Sequence, residues 1–467
     1  MPMTLAFPPD PVLGGALDAL DERIMAPILQ REILDEEGAP RRWHLDRCEI
    51  GRVNYQPHKT LRISYRLSVR DAASGAVRSH LVTSRFYPTG RGAGSYRRAS
   101  GRNPVAVEIG RPVSLVPGLD AVLWGFPNDS KLTNLQHLLD ETWVRNHGLA
   151  PVDGLGGGDH LRIEPVQYVP NHSFTVRVHT RSPGNGRRRT VYGKVYPDEL
   201  GAATFDVMQQ LWRSDQRRSG QLLLAEPLGF LAQDRVLWQA ALSGRIVAGA
   251  GRWDQRFVLH LRVAAQALAS FHSTGTLGLP LRTQQDWLSR AEGALQMLTR
   301  VDAPVTPECA DVVERLRKAS RRIRDEPVVT LHGDFHLGNM VRVGSQVGLI
   351  DLDEVRRGSP SQDLGSFAAR LLKSALSDGR SIDDAFRLIA VFLEEYWHHA
   401  PWPPDREAVD WYTAAYLIGY GVGRSFSTVR MDLDGLGSLI ALAGSLIHDG
   451  GDVDRITDVV HHAAGGR

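Results

Sequence analysis

The chain has 467 residues, of which 42% are hydrophobic and 23% are charged, and its formal net charge is +2. This balance excludes a disordered chain and gives no reason to expect nucleic acid or a membrane as a partner, while the length predicts two or three structural units. The chain has two cysteines, no Cys/His cluster, no leader-like N-terminus and no apolar run of membrane-spanning length, so we expect a cytoplasmic protein without disulfides or structural zinc.

Two stretches in the first half of the chain predict similar β-hairpins. The motif Val-x-Tyr-x-Pro occurs at residues 53–57 and again at 166–170, and an alternating apolar run follows each copy. Each copy then crosses a polar turn and enters a strand that ends in Tyr-Pro, which aligns Arg85 with Lys194. We expect a duplication. The alternative is two unrelated hairpins with coincidental prolines.

A glycine cluster at residues 154–158 is typical of a flexible connection. It predicts a domain boundary after an N-terminal domain over residues 1–153. The strand and helix patterns that follow divide the rest of the chain into a small sheet-rich lobe over 160–241 and a helical lobe over 242–467. In the helical lobe, apolar residues recur at three- and four-residue intervals. One non-helical stretch, 328–353, interrupts this pattern, and its two apolar runs each end in polar residues at a turn.

The polar residues of that stretch have the chemistry that phosphoryl transfer needs, namely a carboxylate near the attacking hydroxyl and oxygen ligands for a divalent metal. Asp334 follows the first apolar run, Asn339 lies five residues later, and Asp351 ends the second run. We expect Asp334 to orient the hydroxyl or accept its proton, and Asn339 and Asp351 to bind Mg²⁺. Asp353 would share a strand face with Asp351 and so face the same cleft.

Two histidines flank Asp334 and suggest an alternative, a metal-binding pair on a helix. His332 and His336 are four residues apart, but Gly333 and Gly338 disfavour a continuous helix, and no His-Glu-x-x-His motif is present. We therefore expect His332 to be a buried anchor of the loop.

Three motifs in order resemble the signature of the aminoglycoside phosphotransferase and choline kinase family: His332-Gly-Asp-x-His-x-x-Asn339, Ile350-Asp351, and Gly358-x-Pro-x-x-Asp363-Leu364. The resemblance runs from about residue 161 to the end of the chain. It implies an α+β, protein-kinase-like bilobal fold that binds ATP or GTP with magnesium between a sheet-rich lobe and a helical lobe. By the same resemblance Asp334 is catalytic, Asn339 and Asp351 are metal ligands, and Asp363 is structural.

The family also implies a lysine on the third strand of the small lobe that contacts the nucleotide phosphates. Lys194 occupies such a strand and is one of only five lysines in the chain. Kinase-like sites pair this lysine with a helix carboxylate. Glu199 is the preferred partner, and Asp206 is the alternative.

Two further segments are assigned to the nucleotide by resemblance. The turn at residues 170–173 would cover the phosphates with Ser173 as a donor, although an ordinary hairpin turn explains it equally well. The hinge at residues 237–241, including Gln239 and Ala241, would read the nucleobase edge, with Trp238 or Leu242 adding apolar contact.

The N-terminal repeat has Arg85 where the small lobe has Lys194, and arginine does not replace lysine in geometry. We therefore expect an extra α/β domain resembling a degenerate small-lobe hairpin, which serves as a cap or supports a homodimer. Residues 392–416 are rich in acids and aromatics that would suit a cationic amino sugar or a sugar ring; helix core is the alternative.

The predicted function is an ATP- or GTP-dependent phosphotransferase acting on a hydroxyl of a small molecule, such as a sugar, an aminoglycoside-like compound or an amino alcohol. The alternative is a catalytically silent, kinase-like nucleotide-binding module that acts through its N-terminal domain. The intact set of Asp334, Asn339, Asp351 and Lys194 favours the enzyme.

Overall fold

A computed structural model describes residues 9–36, 38–150, 161–181, 188–247, 253–275, 278–403, 405–428 and 433–447. The predicted glycine-rich connection at 154–158 lies outside the described residues. Two antiparallel five-stranded sheets follow each other in the first half of the chain, and helices dominate the second half. No helix in the described part of the chain is long and apolar enough to cross a membrane.

The first unit combines short helical turns, two helices and five strands. Its elements are a 3-10 turn Gly15–Leu20, α1 Glu22–Leu29, a π-helical turn Gln30–Leu34, β1 Trp43–Gln56, β2 Thr60–Asp71, β3 Val77–Phe86, α2 Gly92–Ser100, β4 Val113–Val116, a 3-10 turn Pro117–Leu119 and β5 Ala121–Gly125. The strand order in the sheet is β1-β2-β3-β5-β4. Every second side chain of β2 is buried against the unit's core, in line with the alternating sequence pattern: Leu61, Ile63, Tyr65, Leu67 and Val69.

The second unit repeats this arrangement. Its elements are a 3-10 turn Leu135–Leu139, α3 Glu141–Trp143, a π-helical turn Val144–Gly148, β6 Arg162–Val169, β7 Ser173–Arg181, β8 Arg188–Val195, α4 Leu200–Trp212, α5 Asp215–Arg218, β9 Leu223–Leu224, β10 Pro227–Leu231 and β11 Val236–Ala240. The sheet order is β6-β7-β8-β11-β10, which matches the first sheet strand for strand. The predicted repeat of two hairpins therefore extends to a whole unit.

An aspartate at the start of the first unit ties down its first hairpin. The Asp10 carboxylate accepts hydrogen bonds from the Tyr55 hydroxyl and the His58 amide, both at 2.8 Å. His58 lies in the turn with a φ of 61°. These bonds fix the turn between β1 and β2 against the chain that precedes the sheet.

The second unit makes the same contacts with a different aspartate. The Asp129 carboxylate accepts from the Tyr168 hydroxyl at 2.6 Å and from the Asn171 amide at 2.9 Å, and Asn171 has a φ of 63°. Arg85 on β3 pairs with the third residue of β2, and Lys194 on β8 pairs with the third residue of β7. The two residues therefore occupy equivalent positions in the two sheets. The alignment predicted from the sequence is therefore present in the structure.

The hydrophobic core divides the two units at a different place from the sequence prediction. Leu132, Leu138 and Val144 belong to the cluster that packs on the second sheet around Val176 and Trp238. The predicted N-terminal domain of 1–153 therefore includes residues that the packing groups with the second unit. The second unit has its own helical turns ahead of its sheet, and the domain bounds drawn at the glycine cluster stay a prediction.

The helical lobe contains eight helices and five short strands in the described residues. The helices are α6 Gln255–His272, α7 Gln284–Arg300, α8 Thr306–Ser320, α9 Ser361–Ser377, α10 Ile382–His399, α11 Arg406–Tyr416, α12 Gly423–Ser427 and α13 Leu433–Ser445, with a π-helical turn Leu417–Val422. The strands are β12 Arg245–Ile246, β13 Val329–Leu331, β14 Met340–Val343, β15 Gln346–Leu349 and β16 Arg356–Gly358, with a 3-10 turn Leu337–Asn339. Their sheet orders are β12-β14-β15-β9 and β13-β16.

Side-chain caps explain where two of the long helices begin. The Asp254 carboxylate accepts from the Phe257 amide at the start of α6. Thr283 and Asp286 form a reciprocal capping box at the start of α7. At the other end of α7, Arg300 donates to the Pro57 carbonyl at 3.4 Å, which joins the first unit to the helical lobe.

Candidate active site

A cleft of about 1000 Å³ lies between the second sheet and the helical lobe. Strands β6, β7, β8 and β11 form its roof, and the loops around 333–339 and 350–354 form its floor. Residues of α9 and of the segment 416–424 close its far end. The cleft therefore brings Lys194 together with the first two of the three motifs, the loop at 332–339 and Ile350-Asp351.

A buried aspartate holds the catalytic loop in place. Asp363 accepts hydrogen bonds from the amides of His332 at 2.6 Å and Gly333 at 3.0 Å, and His272 Nε2 lies 3.1 Å from its carboxylate. Burial raises the pKa of Asp363, but the hydrogen bond with His272 and the other partners outweigh it and lower the pKa. Gly333 has a φ of 79°, and a Cβ there would lie 1.9 Å from the Glu354 carbonyl oxygen. These contacts give Asp363 the structural position expected of it.

His332 is an anchor of the loop and is not a metal ligand in this geometry. Its side chain is fully buried, and Nε2 donates to the Ile350 carbonyl at 3.1 Å. Burial lowers the pKa of His332, which keeps the imidazole neutral. His336 Nδ1 instead accepts a hydrogen bond from the Gly338 amide at 3.0 Å. The two histidines therefore have separate partners.

Asp334 faces the cleft and has three polar neighbours. It forms an ion pair with Arg370 on α9, and His336 Nε2 lies 3.5 Å from its carboxylate. Asn339 Nδ2 donates to the Asp334 backbone carbonyl at 3.0 Å and to its carboxylate at 3.3 Å. Burial raises the pKa of Asp334, but the hydrogen bond with His336 and the charge of Arg370 outweigh it, so the pKa lies well below the usual aspartate range. The carboxylate is ionised at neutral pH.

Lys194 projects from β8 into the same cleft and contacts two aspartates. Its Nζ donates to Asp353 at 2.6 Å and to Asp351 at 3.0 Å. Burial lowers the pKa of Lys194, but the charges of Asp353 and then Asp351 outweigh it and raise the pKa. Asp353 also accepts from the Tyr196 hydroxyl at 2.7 Å and lies 3.5 Å from the Thr204 hydroxyl. Asp353 is therefore the buried anchor that fixes the lysine.

The predicted ion pair between Lys194 and a helix carboxylate is not present. Glu199 is exposed at the start of α4, Asp206 is exposed along it, and neither bonds to Lys194. The α4 residue at this site is Thr204, which contacts Asp353, and the carboxylates that bind the lysine are those of Asp353 and Asp351. Sequence reasoning placed Asp353 in the cleft but did not give it this partner.

Asn339 and Asp351 lie on the floor of the cleft and are linked through the backbone. The Ile350 amide, next to Asp351, donates to the Asn339 carbonyl at 3.0 Å. Asp351 has a φ of 62°, and its side chain is 40% exposed to the cleft. Within the described residues no three His, Cys, Asp or Glu side chains converge on a common metal position. Asp351 and the buried Asn339 both line the cleft, and a carboxylate and an amide oxygen would suit a Mg²⁺ ion that takes its other ligands from phosphates and water.

Some residues of the predicted hinge line the cleft, and others do not. Gln239 and Leu242 line the cleft. Trp238 is completely buried in the opposite core, because neighbouring side chains of a strand point to opposite faces. The Ala241 amide donates to the Thr190 carbonyl at 3.0 Å, and Ala241 is not among the described cleft-lining residues. Its predicted role in reading a base through this amide is therefore not supported.

Ser173 is also outside the cleft lining. It is the first residue of β7, and its exposed fraction is 3%. In the turn before it, the Asn171 amide donates a hydrogen bond to the Asp129 carboxylate. The second reading of this segment, an ordinary hairpin turn, matches the structure. The polar roof residues that the sequence analysis missed include Thr175 and Arg177 on β7. Thr175 pairs with Lys194 in the sheet register, so strand alternation was the available signal.

The acid- and aromatic-rich segment 392–416 does not form an acidic wall of the cleft. Glu395 accepts hydrogen bonds from Arg262 and Gln266, both at 2.7 Å, and among the described residues of this segment only Tyr416 lines the cleft. The alternative reading, helix core, is the correct one for most of these residues. Arg370 on α9 was missed by sequence reasoning, and no local motif marks it.

Comparisons with known proteins give a consistent family. The profile described as "Phosphotransferase enzyme family" matches residues 177–412, just over half of the chain. A search of curated proteins finds no match. The residues matched by the family profile include Lys194, Asp334, Asn339 and Asp351.

Solved structures with remote similarity include kinases of small molecules. A choline/ethanolamine kinase family protein from Mesorhizobium loti is 14% identical with a TM-score of 0.46, and the alignment covers 69% of this chain and 97% of that one. Aminoglycoside phosphotransferase APH(4)-Ia in complex with ADP and hygromycin B is 12% identical with a TM-score of 0.47, covering 66% and 99%. APH(3'')-Id from Streptomyces rimosus is 18% identical with a TM-score of 0.36, covering 59% and 92%.

The family match, together with the sheets and helices described above, confirms the predicted α+β, protein-kinase-like bilobal fold preceded by an extra N-terminal domain. The chain belongs to the phosphotransferase enzyme family.

Proposed function

We propose that the protein transfers the γ-phosphoryl group of ATP or GTP to a hydroxyl of a small molecule. The observation that carries this proposal is one cleft holding an ionised Asp334 beside Asn339 and a Lys194 bound to Asp351 and Asp353. Phosphoryl transfer depends on positioning and charge stabilisation, and these groups are the ones it needs. The two buried cysteines have no disulfide partner, and we propose a reducing, cytoplasmic location.

The phosphate-binding groups have separate roles. Lys194 contacts the nucleotide phosphates, and Asp353 keeps its ammonium aimed into the cleft. A bound Mg²⁺ would neutralise charge on the β- and γ-phosphates, with Asn339 and Asp351 as its protein ligands. Lys194 contacts both Asp351 and Asp353, and Asp351 is the more exposed of the two. Asp351 can therefore exchange the lysine for Mg²⁺ with less disruption than Asp353.

Asp334 receives the acceptor hydroxyl. The acceptor oxygen forms a bond to the γ-phosphorus while the bond from that phosphorus to the bridging oxygen breaks, and the nucleoside diphosphate leaves with that oxygen. The hydroxyl proton passes to Asp334 and then to water. Because its pKa is lowered, Asp334 is a weak base, and it contributes mainly by orienting the hydroxyl before the proton moves.

The test is nucleotide consumption measured with ATP and with GTP, in the presence and absence of magnesium, across a panel of hydroxyl compounds. We expect magnesium-dependent, acceptor-dependent formation of nucleoside diphosphate that is lost in Lys194→Met and Asp351→Asn. Nucleotide binding without consumption for every acceptor would instead favour the silent nucleotide-binding module. A homodimer stays a prediction that light scattering can test.

A further inference from the structure

A side pocket of about 360 Å³ opens from the far end of the cleft. It shares five lining residues with the cleft, and one of them, Arg370, pairs with Asp334, so the pocket begins next to Asp334. The shared residues are His336, Arg370, Tyr416, Tyr420 and Arg424. Its volume is within the range of small-molecule sites. The pocket is therefore placed where the acceptor of the proposed reaction must lie.

The side pocket is lined by cations without an acid. Arg370, Lys373 and Arg424 line it, and no Asp or Glu is among the described residues of its wall. Burial lowers the pKa of Lys373, and the charges of Arg424 and Arg370 lower it further. The ammonium of Lys373 makes a long hydrogen bond of 3.5 Å to the Gly421 carbonyl. The local field of the pocket therefore favours a negative ligand.

Apolar and aromatic groups complete the pocket. Phe367 and Leu371 on α9 contribute buried surface, and Tyr416 lies beneath the Arg370 guanidinium, 5.3 Å from ring centroid to Cζ. Such walls can hold a carbon skeleton while charged groups fix one end. Arg370 has five N–H donors, so it can keep its ion pair with Asp334 and contact a ligand as well.

We propose that this side pocket binds the acceptor and that the acceptor is a small hydroxyl compound carrying a carboxylate or phosphate group. The inference rests on the proposed phosphotransferase function. The anionic group lies against Lys373 and Arg424, and the hydroxyl points toward Asp334. An amino sugar or amino alcohol would place its cation beside Lys373 and Arg424, with no Asp or Glu among the described residues of the wall, so aminoglycoside-like and amino alcohol acceptors are disfavoured.

The test compares acceptors that differ chiefly in charge. One series is glucose, glucosamine, glucuronate and glucose 6-phosphate, and a second is glycerol, ethanolamine and glycerate. We expect an anionic member to exceed its neutral counterpart by about 10-fold in kcat/KM, with the amines lowest, because complementary charge selects the partner. Better use of neutral or aminated members overturns the inference while leaving the phosphotransferase proposal intact.

Substitution of Lys373 separates charge from packing. Lys373→Met keeps the aliphatic stem and should raise KM for the anionic acceptor about 10-fold without changing KM for nucleotide. Lys373→Glu should shift the preference toward the amine. Arg387→Gln is the matched control, because Arg387 pairs with Asp384 on the surface of α10. An unchanged KM for the anion in Lys373→Met contradicts the inference.

A binding measurement keeps the two proposals distinguishable. Absence of turnover with every acceptor refutes the phosphotransferase proposal. In that case calorimetry with glycerate, glucuronate and glucose 6-phosphate on wild-type and Lys373→Met protein decides the charge inference. Binding of an anion that weakens in the variant supports an anionic site, and no binding to the wild-type protein overturns it.

Discussion

Asp353 is the residue whose replacement should most clearly separate the anchoring of Lys194 from catalysis. Its side chain is 9% exposed and accepts hydrogen bonds from Lys194 and Tyr196. Asp353→Asn removes the charge but keeps the shape. Breaking a buried ion pair costs about 3–5 kcal/mol, and because Lys194 keeps Asp351 at 3.0 Å we expect the lower end, about 3 kcal/mol.

The assay is thermal and denaturant unfolding of Asp353→Asn beside wild type and Tyr196→Phe. Tyr196→Phe removes one hydrogen bond to the carboxylate, which keeps Lys194 as a partner, so we expect about 1.5 kcal/mol of destabilisation, the low end for a hydrogen bond to a charged group. The Asp353→Asn protein should also bind nucleotide more weakly, because the lysine ammonium loses its closest anchor. Unfolding free energies that agree within about 0.5 kcal/mol for Asp353→Asn and wild type would refute this reasoning.

Two further predictions concern the catalytic loop. Because the pKa of Asp334 is lowered, kcat/KM should fall only at pH values below the usual aspartate range. Arg370→Gln removes one cause of the lowered pKa, so the acid limb of the pH profile should move to higher pH. An acid limb that does not move would contradict the assignment. Gly333→Ala should abolish folding of the loop and activity, since its Cβ would lie 1.9 Å from the Glu354 carbonyl oxygen, whereas Gly344→Ala, with φ of 61° and open space around it, should cost only about 1 kcal/mol in unfolding experiments. Similar losses in both glycine variants would show that the close contact is not decisive.

The sequence predicts the parts of the site that are local in the chain. Asp334, Asn339 and Asp351 lie within one short stretch, and their spacing on two strand ends is enough to bring them to one cleft. Lys194 is predictable because its strand alternates and lysine is rare in the chain. The repeat is visible in the two Val-x-Tyr-x-Pro motifs. The aspartates that hold the two hairpin turns also share a motif, Phe-Pro-x-Asp at residues 7–10 and 126–129, which the sequence analysis did not use.

What the sequence does not predict depends on contacts between distant elements. The partner of Lys194 is set by how β8 meets the loop at 353, and Glu199 was preferred only because it is near in sequence. Arg370 reaches Asp334 from a helix that carries no catalytic motif. The positive side pocket arises because α9 meets the segment 416–424, and composition alone does not indicate that meeting.

The most direct test of the central claim is the turnover of Asp334→Asn with nucleotide, magnesium and the best acceptor. The account predicts a fall in kcat of about 100-fold or more, while calorimetry shows nucleotide affinity close to that of wild type and the melting temperature confirms folding. Turnover by Asp334→Asn at the wild-type rate would contradict the role of this carboxylate and with it the proposed active site.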